Sequence, residues 1–337
     1  MKRYWLFKGA LSVLSLIVGT GILVRIIARD GWQDVLGEIA RFGWAPLLGF
    51  VLLSLGNFAL YSLRWQLITN SHLPPEKHLS MLAMYQHRMS GFAVGYLTPA
   101  AQVAGEPARI GLLVADGISA KVATSSVTLD IGFELCMYVA FMAAGVGFAL
   151  AQGTGSPAVL FATIIALVFL LGVILGFLIS AASGKRVLSQ ELRILGFGGK
   201  RTKGVVVWVS EMEGLMTEFF RGRSALVVVL ALLSFVMVSF KVVEVVYLAH
   251  FFGVTLNAAQ AFLVSTLPGV ALLLPIPGGL GVFEGGFAAV FTALNVSLNP
   301  VAFALIIRIR DAVFIGWGVS HLIQRTGRYV IERSNRA

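Results

Sequence analysis

Six stretches of this chain, near residues 6–27, 44–63, 120–148, 158–181, 224–252 and 300–323, are predominantly apolar. Each is long enough for a helix to cross a bilayer, which takes about 20 residues at roughly 1.5 Å per residue. None shows the polar–apolar alternation of a membrane β-strand, so a β-barrel is excluded. Only 12% of the residues are Asp, Glu, Lys or Arg, against about 25% in a soluble domain. These features define an all-α polytopic membrane protein, with residues 1–337 as a single transmembrane domain.

Charge outside the apolar stretches sets an orientation. The loop 183–223 holds eight Lys or Arg against four Asp or Glu, and the tail from Arg325 holds four against one. The first eight residues hold three against none, whereas 28–43 balances Arg29 and Arg41 with Asp30, Asp34 and Glu38. The positive-inside rule then puts both termini and the basic 183–223 loop in the cytoplasm. The net charge of +10 is explained in the same way. No basic region interleaved with aromatics stands apart, so no nucleic-acid partner is expected. The N-terminus resembles a signal peptide but lacks a small-x-small cleavage site, and is expected to remain as a first span. Cys136, the single cysteine, leaves no intramolecular disulfide to form.

Two further apolar regions, 80–115 and 258–294, are interrupted by Pro and Gly. The segments flanking each break are mostly short for a full span. Each region is therefore read as a re-entrant helical hairpin, although two ordinary crossings per region would preserve the same outer topology. The breaks are alike: TPAAQVAGE and IPGGLGVFE place Pro99 and Pro277 seven residues before Glu106 and Glu284. The expected architecture is about six full spans plus two hairpins. It divides into two inverted repeat units, 44–148 around the first break and 224–323 around the second. Broken helices of that kind meet near the midplane and form a binding site. Backbone freed at membrane depth survives only in protein or beside a polar cavity, where a helix N-terminus can receive an anion.

Ionisable residues in the apolar regions are Arg88, Glu106, Arg109, Asp130, Glu134, Lys241, Glu244, Glu284, Arg308, Arg310 and Asp311. A charge at the membrane centre costs about 2.5–3.5 kcal/mol on insertion scales, so each needs a reason. Glu106 with Arg109, Lys241 with Glu244, and Arg308 with Asp311 are spaced to neutralise one another on one helix face. Asp130 and Glu134 share a face and repel, so they need a basic partner, a cation or a proton. Arg88 and Arg310 are the candidate partners, and the cluster reads equally as a site or as a buried network fixing helix register.

Catalytic signatures are missing. GGLGVFEGG lacks the Lys-Ser/Thr of a phosphate-binding loop, and no GxSxG elbow or HExxH helix occurs. No metal and no cofactor are expected. Trp5, Trp44, Trp65 and Trp317 are read as interfacial belt residues. The amphipathic stretch 204–221 is read as lying on the cytoplasmic surface.

The chain resembles the flippase-like family of the lysylphosphatidylglycerol synthase transmembrane region. The resemblance rests on RWQLI (64–68), YLTPAAQVAGEPARIGLL (96–113), SSVTLDIGFE (125–134), PIPGGLGVFEGG (275–286) and RIRD (308–311). AQVxGExxR is similar to the hopanoid-biosynthesis-associated branch. The resemblance implies a lipid-translocating membrane domain with re-entrant helices. No aminoacyl-transferase domain follows the last span, so synthesis of an aminoacyl lipid is not expected.

The expected function is an inner-membrane lipid translocase moving an anionic or zwitterionic amphiphile between leaflets. Arg88, Arg109, Arg308 and Arg310 would hold the head group, since guanidinium suits bidentate phosphate contacts. Glu106, Glu284, Asp130 and Glu134 would balance those charges, bind amine groups or exchange protons. Asp311 is a further candidate site residue, and Gly279 and Gly281 would let backbone approach. The alternatives are an embedded enzyme acting on polyprenyl or glycerolipid phosphates, or a non-catalytic partner of lipid- or hopanoid-synthesis enzymes. Self-association is left open.

Overall fold

A computed structural model describes residues 32–98, 104–183, 189–190, 203–270 and 276–334. The expected first span, the Pro99 break and most of the basic loop before 203 lie outside the described residues. All regular structure among the described residues is helical. In chain order the helices are α1 (Trp32–Phe42), α2 (Trp44–Ser71), α3 (Met81–Leu97), α4 (Gly105–Ala115), α5 (Ala120–Gln152) and α6 (Pro157–Ser183). They continue with α7 (Lys203–Gly222), α8 (Ser224–Phe251), α9 (Ala258–Val270), α10 (Val282–Ala293) and α11 (Pro300–Ser334). Polar caps set several starts. Ser80 accepts from Ala83 N at 3.3 Å, Ser119 from Val122 N at 3.4 Å, and Asn257 from Gln260 N at 2.9 Å. Each satisfies an amide that the first helical turn leaves without an intrahelical acceptor.

Helices α2, α5 and α8 are long and apolar enough to cross a membrane. Leu48, Leu52, Val228, Leu232 and Phe235 stand exposed on α2 and α8. An outward apolar surface of this kind suits lipid rather than water, and identifies a multi-pass membrane protein. Helix α2 continues to Ser71, well beyond the expected end at Leu63, because the polar residues past that point face protein rather than water.

Each broken region folds into an antiparallel pair of short helices. In the first, Gly105 at the start of α4 sits against Gly91 of α3, while Asp116 just past α4 meets His87 nearer the start of α3, at 2.5 Å. In the second, Gln260 Nε2 near the start of α9 donates to Leu294 O just past α10, at 3.0 Å. The shorter leg of the first pair has 11 residues and that of the second has 12, or about 16–18 Å by helical rise. Lipid supplies little hydrophobic drive for helices to associate, so close approach through small residues matters. A Cβ on Gly105 would lie 2.6 Å from Gly91 O, so this contact requires glycine.

The pairs pack across the molecule. Helix α3 lies along α11, with Gly318 so close that a Cβ would sit 2.2 Å from Met89 O. Helix α9 lies along α5, where Gly145 faces Leu263 and Phe262. Phe50, Met142, Leu248, Leu263, Phe287 and Phe303 form the larger apolar core between them. The amphipathic α7 packs against α5 and α6. Its Met212, Met216 and Phe219 are buried against Ile68, Leu129, Phe133 and Leu230, so its apolar face is covered by protein.

Candidate functional site

Asp130 and Glu134, one turn apart on α5, receive arginines from separate helices. Arg64 of α2 places Nε 2.8 Å from Asp130 Oδ1 and Nη2 3.1 Å from Glu134 Oε2. Arg88 of α3 places Nη1 2.9 Å from Asp130 Oδ2 and Nη2 3.3 Å from Glu134 Oε2. Arg109 of α4 reaches Asp130 Oδ2 at 2.6 Å and Glu106 Oε2 at 2.8 Å. Three arginines thus face three carboxylates. Gly91 makes room for the third, since a Cβ there would lie 2.5 Å from Arg109 Cγ. Arg109 also lies over the Trp65 ring at 4.1 Å, and Arg88 over Tyr61 at 4.8 Å.

Burial grades this cluster. The side chains of Arg64 and Asp130 are 0% exposed, while Glu134 and Glu106 keep 28% and 32%. Arg109 Nε is buried with no partner among the described residues. The cluster therefore has an arginine-lined interior, a carboxylate rim and an unused donor.

A second cluster joins α8 and α11. Arg310 Nη2 lies 2.6 Å from Asp311 Oδ1, and its Nη1 lies 3.2 Å from Glu244 Oε2. Lys241 approaches the same Glu244 oxygen only to 3.5 Å, and Asn57 Nδ2 of α2 donates to Oε1 at 3.3 Å.

A third grouping occupies the tip of the second helix pair. The chain there takes positive φ at Gly278 (57°), Gly279 (60°) and Gly281 (76°), a region that L side chains avoid. Glu284, in the first turn of α10, accepts from Gly281 N at 2.8 Å and from Arg308 Nε at 2.8 Å. Arg308 also donates to Gly279 O at 3.3 Å, and to Gly278 O and the Tyr96 hydroxyl. Tyr96 belongs to the end of α3, so the two helix pairs meet here. A Cβ on Gly278 would be 2.6 Å from the Tyr96 ring.

The structure thus brings together Arg88, Glu106, Arg109, Asp130 and Glu134 in one cluster. Arg308, Glu284, Gly279 and Gly281 form another, and Arg310 and Asp311 a third. Three expectations are corrected. Arg310 is not the partner of Asp130 and Glu134, because Asp311 and Glu244 hold it. Arg308 does not pair with Asp311, since the tip carbonyls and Glu284 take its guanidinium. Asp130 and Glu134 meet Arg88 as expected, and Arg64, to which the sequence alone assigns no role, binds both as well. Trp65 is fully buried beneath Arg109 rather than interfacial. Only the helical continuation of α2 through RWQLI could have signalled the last two.

Outside the span-like helices, Asp116 bridges two elements. His87 Nε2 is 2.5 Å from Asp116 Oδ2, and Arg325 of α11 binds the other carboxylate oxygen. Burial works to raise the Asp116 carboxyl, but hydrogen bonds from His87 and Arg325 outweigh it and hold it at about 2.

The fold and these clusters define a helical multi-pass membrane protein whose buried charges fall into three groups, one of them where the two broken helix pairs meet. The chain belongs to the family of the lysylphosphatidylglycerol synthase transmembrane region, whose family model matches residues 12–317. It is also similar to a UPF0104 membrane protein of Methanothermobacter thermautotrophicus. The two are 24% identical over 317 residues, covering 89% of this chain and 90% of that protein.

Proposed function

We propose that the chain is a lipid translocase of the inner membrane that moves a phosphate-bearing amphiphile between leaflets without altering it chemically. The observation that supports this reading is Arg109. It is a buried arginine whose Nε–H has no hydrogen-bond partner among the described residues, set behind partly exposed Glu106 and Glu134. A head group entering past that rim meets donors already oriented, while its tails stay in lipid. Fixed dipoles and cations are most effective where water is sparse.

In this reading 44–148 and 224–323 are inverted repeats, each a long helix, a re-entrant pair and a second long helix. The reciprocal packing of α3 on α11 and α9 on α5 supports the repeat, as does the meeting of Tyr96 with Gly278. Glu106 and Glu284 hold matching places in the first turns of α4 and α10. Both termini face the cytoplasm. Lipid-synthesis enzymes would supply the substrate, and a homo-oligomer is compatible with the arrangement. Purified protein in liposomes with fluorescent phospholipids is the test. Lipid scrambling or directional transfer supports the reading. Chemical conversion of the lipid, or neither outcome, replaces it with an embedded enzyme or an assembly partner respectively.

A further inference from the structure

Resting on that reading, the first cluster has a property that decides what can bind. Arg64, Arg88 and Arg109 are matched by Asp130, Glu134 and Glu106, so among the described residues the resting site has no net charge. An added phosphate diester brings one uncompensated negative charge into a buried place. Uncompensated charge in such a place is strongly disfavoured. A zwitterionic head group would carry its own compensation, whereas a purely anionic one needs a cation.

The three carboxylates are held unequally. Asp130 meets all three arginines, Glu134 meets Arg64 and Arg88, and Glu106 meets Arg109 alone. Glu106 is also the most exposed of the three. Its single ion-pair partner among the described residues is Arg109, through Nη1. A phosphate oxygen that takes Arg109 Nη1 displaces Glu106 and leaves the other carboxylates in place, since Nη2 stays with Asp130. Glu106 then faces Arg88 of α3 and the carboxylates Asp130 and Glu134 of α5, besides Arg109 on its own helix, with Arg64 of α2 behind Asp130. Once phosphate has taken Arg109 Nη1, three arginines face four negative charges unless Glu106 binds a proton.

We propose that Glu106 is the exchange carboxylate of the site, taking up a proton from solution each time an anionic phosphodiester head group replaces it on Arg109. The proton adds to a Glu106 oxygen, so three arginines are again balanced by Asp130, Glu134 and the phosphate. When the head group leaves, Glu106 returns to Arg109 and releases the proton. Translocation of a net-anionic lipid is therefore proton-linked, and that of a zwitterionic lipid is not.

Calorimetric titration of the purified full chain, in two buffers of different ionisation enthalpy, measures protons taken up on binding. Phosphatidylglycerol and phosphatidylethanolamine in detergent serve as probes, with soluble glycerol phosphate as a tail-free control. Proton uptake with phosphatidylglycerol only, lost in Glu106→Gln while binding persists, is the expected result. Phosphatidylglycerol binding without proton uptake overturns the proposal, as does uptake that survives in Glu106→Gln. Equal binding and uptake with glycerol phosphate also overturns it, by assigning the site to a soluble phosphate ester. Binding by Glu106→Gln shows that the variant is folded, and loss of all binding makes Glu106 structural, which also overturns it. Liposomes separate the two readings. Proton-linked binding without translocation removes the translocase and keeps the exchange site. Translocation of phosphatidylglycerol with no lumenal pH change keeps the translocase and removes proton exchange.

Discussion

Arg64 Nε lies 2.8 Å from Asp130 Oδ1 with neither side chain exposed, although the residues are 66 positions apart. A buried pair adds little stability over an apolar replacement, but removing one partner strands the other. That typically costs about 3–5 kcal/mol. Asp130→Asn is accordingly expected to lower the melting temperature in detergent markedly. Adding Arg64→Met should recover much of the loss by restoring neutrality. A thermal double-mutant cycle with no coupling between the two sites would show that the pair is incidental.

That pair also marks where the sequence stops being informative. Helix existence, the two broken regions and the list of membrane-embedded charges follow from hydropathy and from Pro and Gly. Partner choice does not. Periodicity places Arg308 and Asp311 on one face, yet Arg308 turns to Glu284 and the tip carbonyls while Asp311 binds Arg310. Spacing along one helix says nothing about what a neighbouring helix presents. Arg64 was hidden because hydropathy cannot tell a polar helix end facing water from one facing buried carboxylates. Glu106 with Arg109 was legible, since both belong to one helix and meet at 2.8 Å.

Topology can be tested with single cysteines in a Cys136→Ala background. If both helix pairs are re-entrant, cysteines at Lys77 and Ala120 should react with an impermeant maleimide only from the cytoplasm. Cysteines at Thr255 and Ser297 should react only from the other side. These positions are exposed and avoid the positive φ of Gly117 and Asn295. Labelling of 77 and 120 from opposite faces would turn the first pair into an ordinary crossing.

Asp116 gives a pH dependence with a definite sign. Its folded value, about 2, lies below the value of about 3.9 for an unfolded aspartate. Folding therefore gains from the ionised carboxylate above about pH 4, and the gain disappears as pH falls through the folded value. The melting temperature of Asp116→Asn should fall below that of the parent chain at pH 5–7, and the two curves should converge toward pH 2. Because the Asp116 side chain keeps 18% exposure, the gap should be modest and shrink with salt. A constant gap from pH 7 to pH 2 would assign the effect to packing rather than charge.

The tip of the second helix pair yields the last prediction. Gly281 has φ 76°, and its N–H donates to Glu284, which also receives Arg308. An L side chain at such a positive φ costs roughly 1–2 kcal/mol even in the more favourable left-handed helical well. Gly281→Leu and Gly279→Leu are therefore expected to abolish lipid translocation while membrane insertion persists, because the distortion is confined to the tip. Arg308→Lys tests the same point without touching the backbone. An ammonium keeps the charge but cannot span Glu284, the Gly279 carbonyl and the Tyr96 hydroxyl together, as the guanidinium does. Translocation should drop at least tenfold in Arg308→Lys, with a smaller loss in Tyr96→Phe, which removes only one acceptor. Normal translocation in both glycine variants would make the tip a structural bend. Loss in the glycine variants with full activity in Arg308→Lys would place the requirement in the backbone rather than in the guanidinium that joins the two helix pairs.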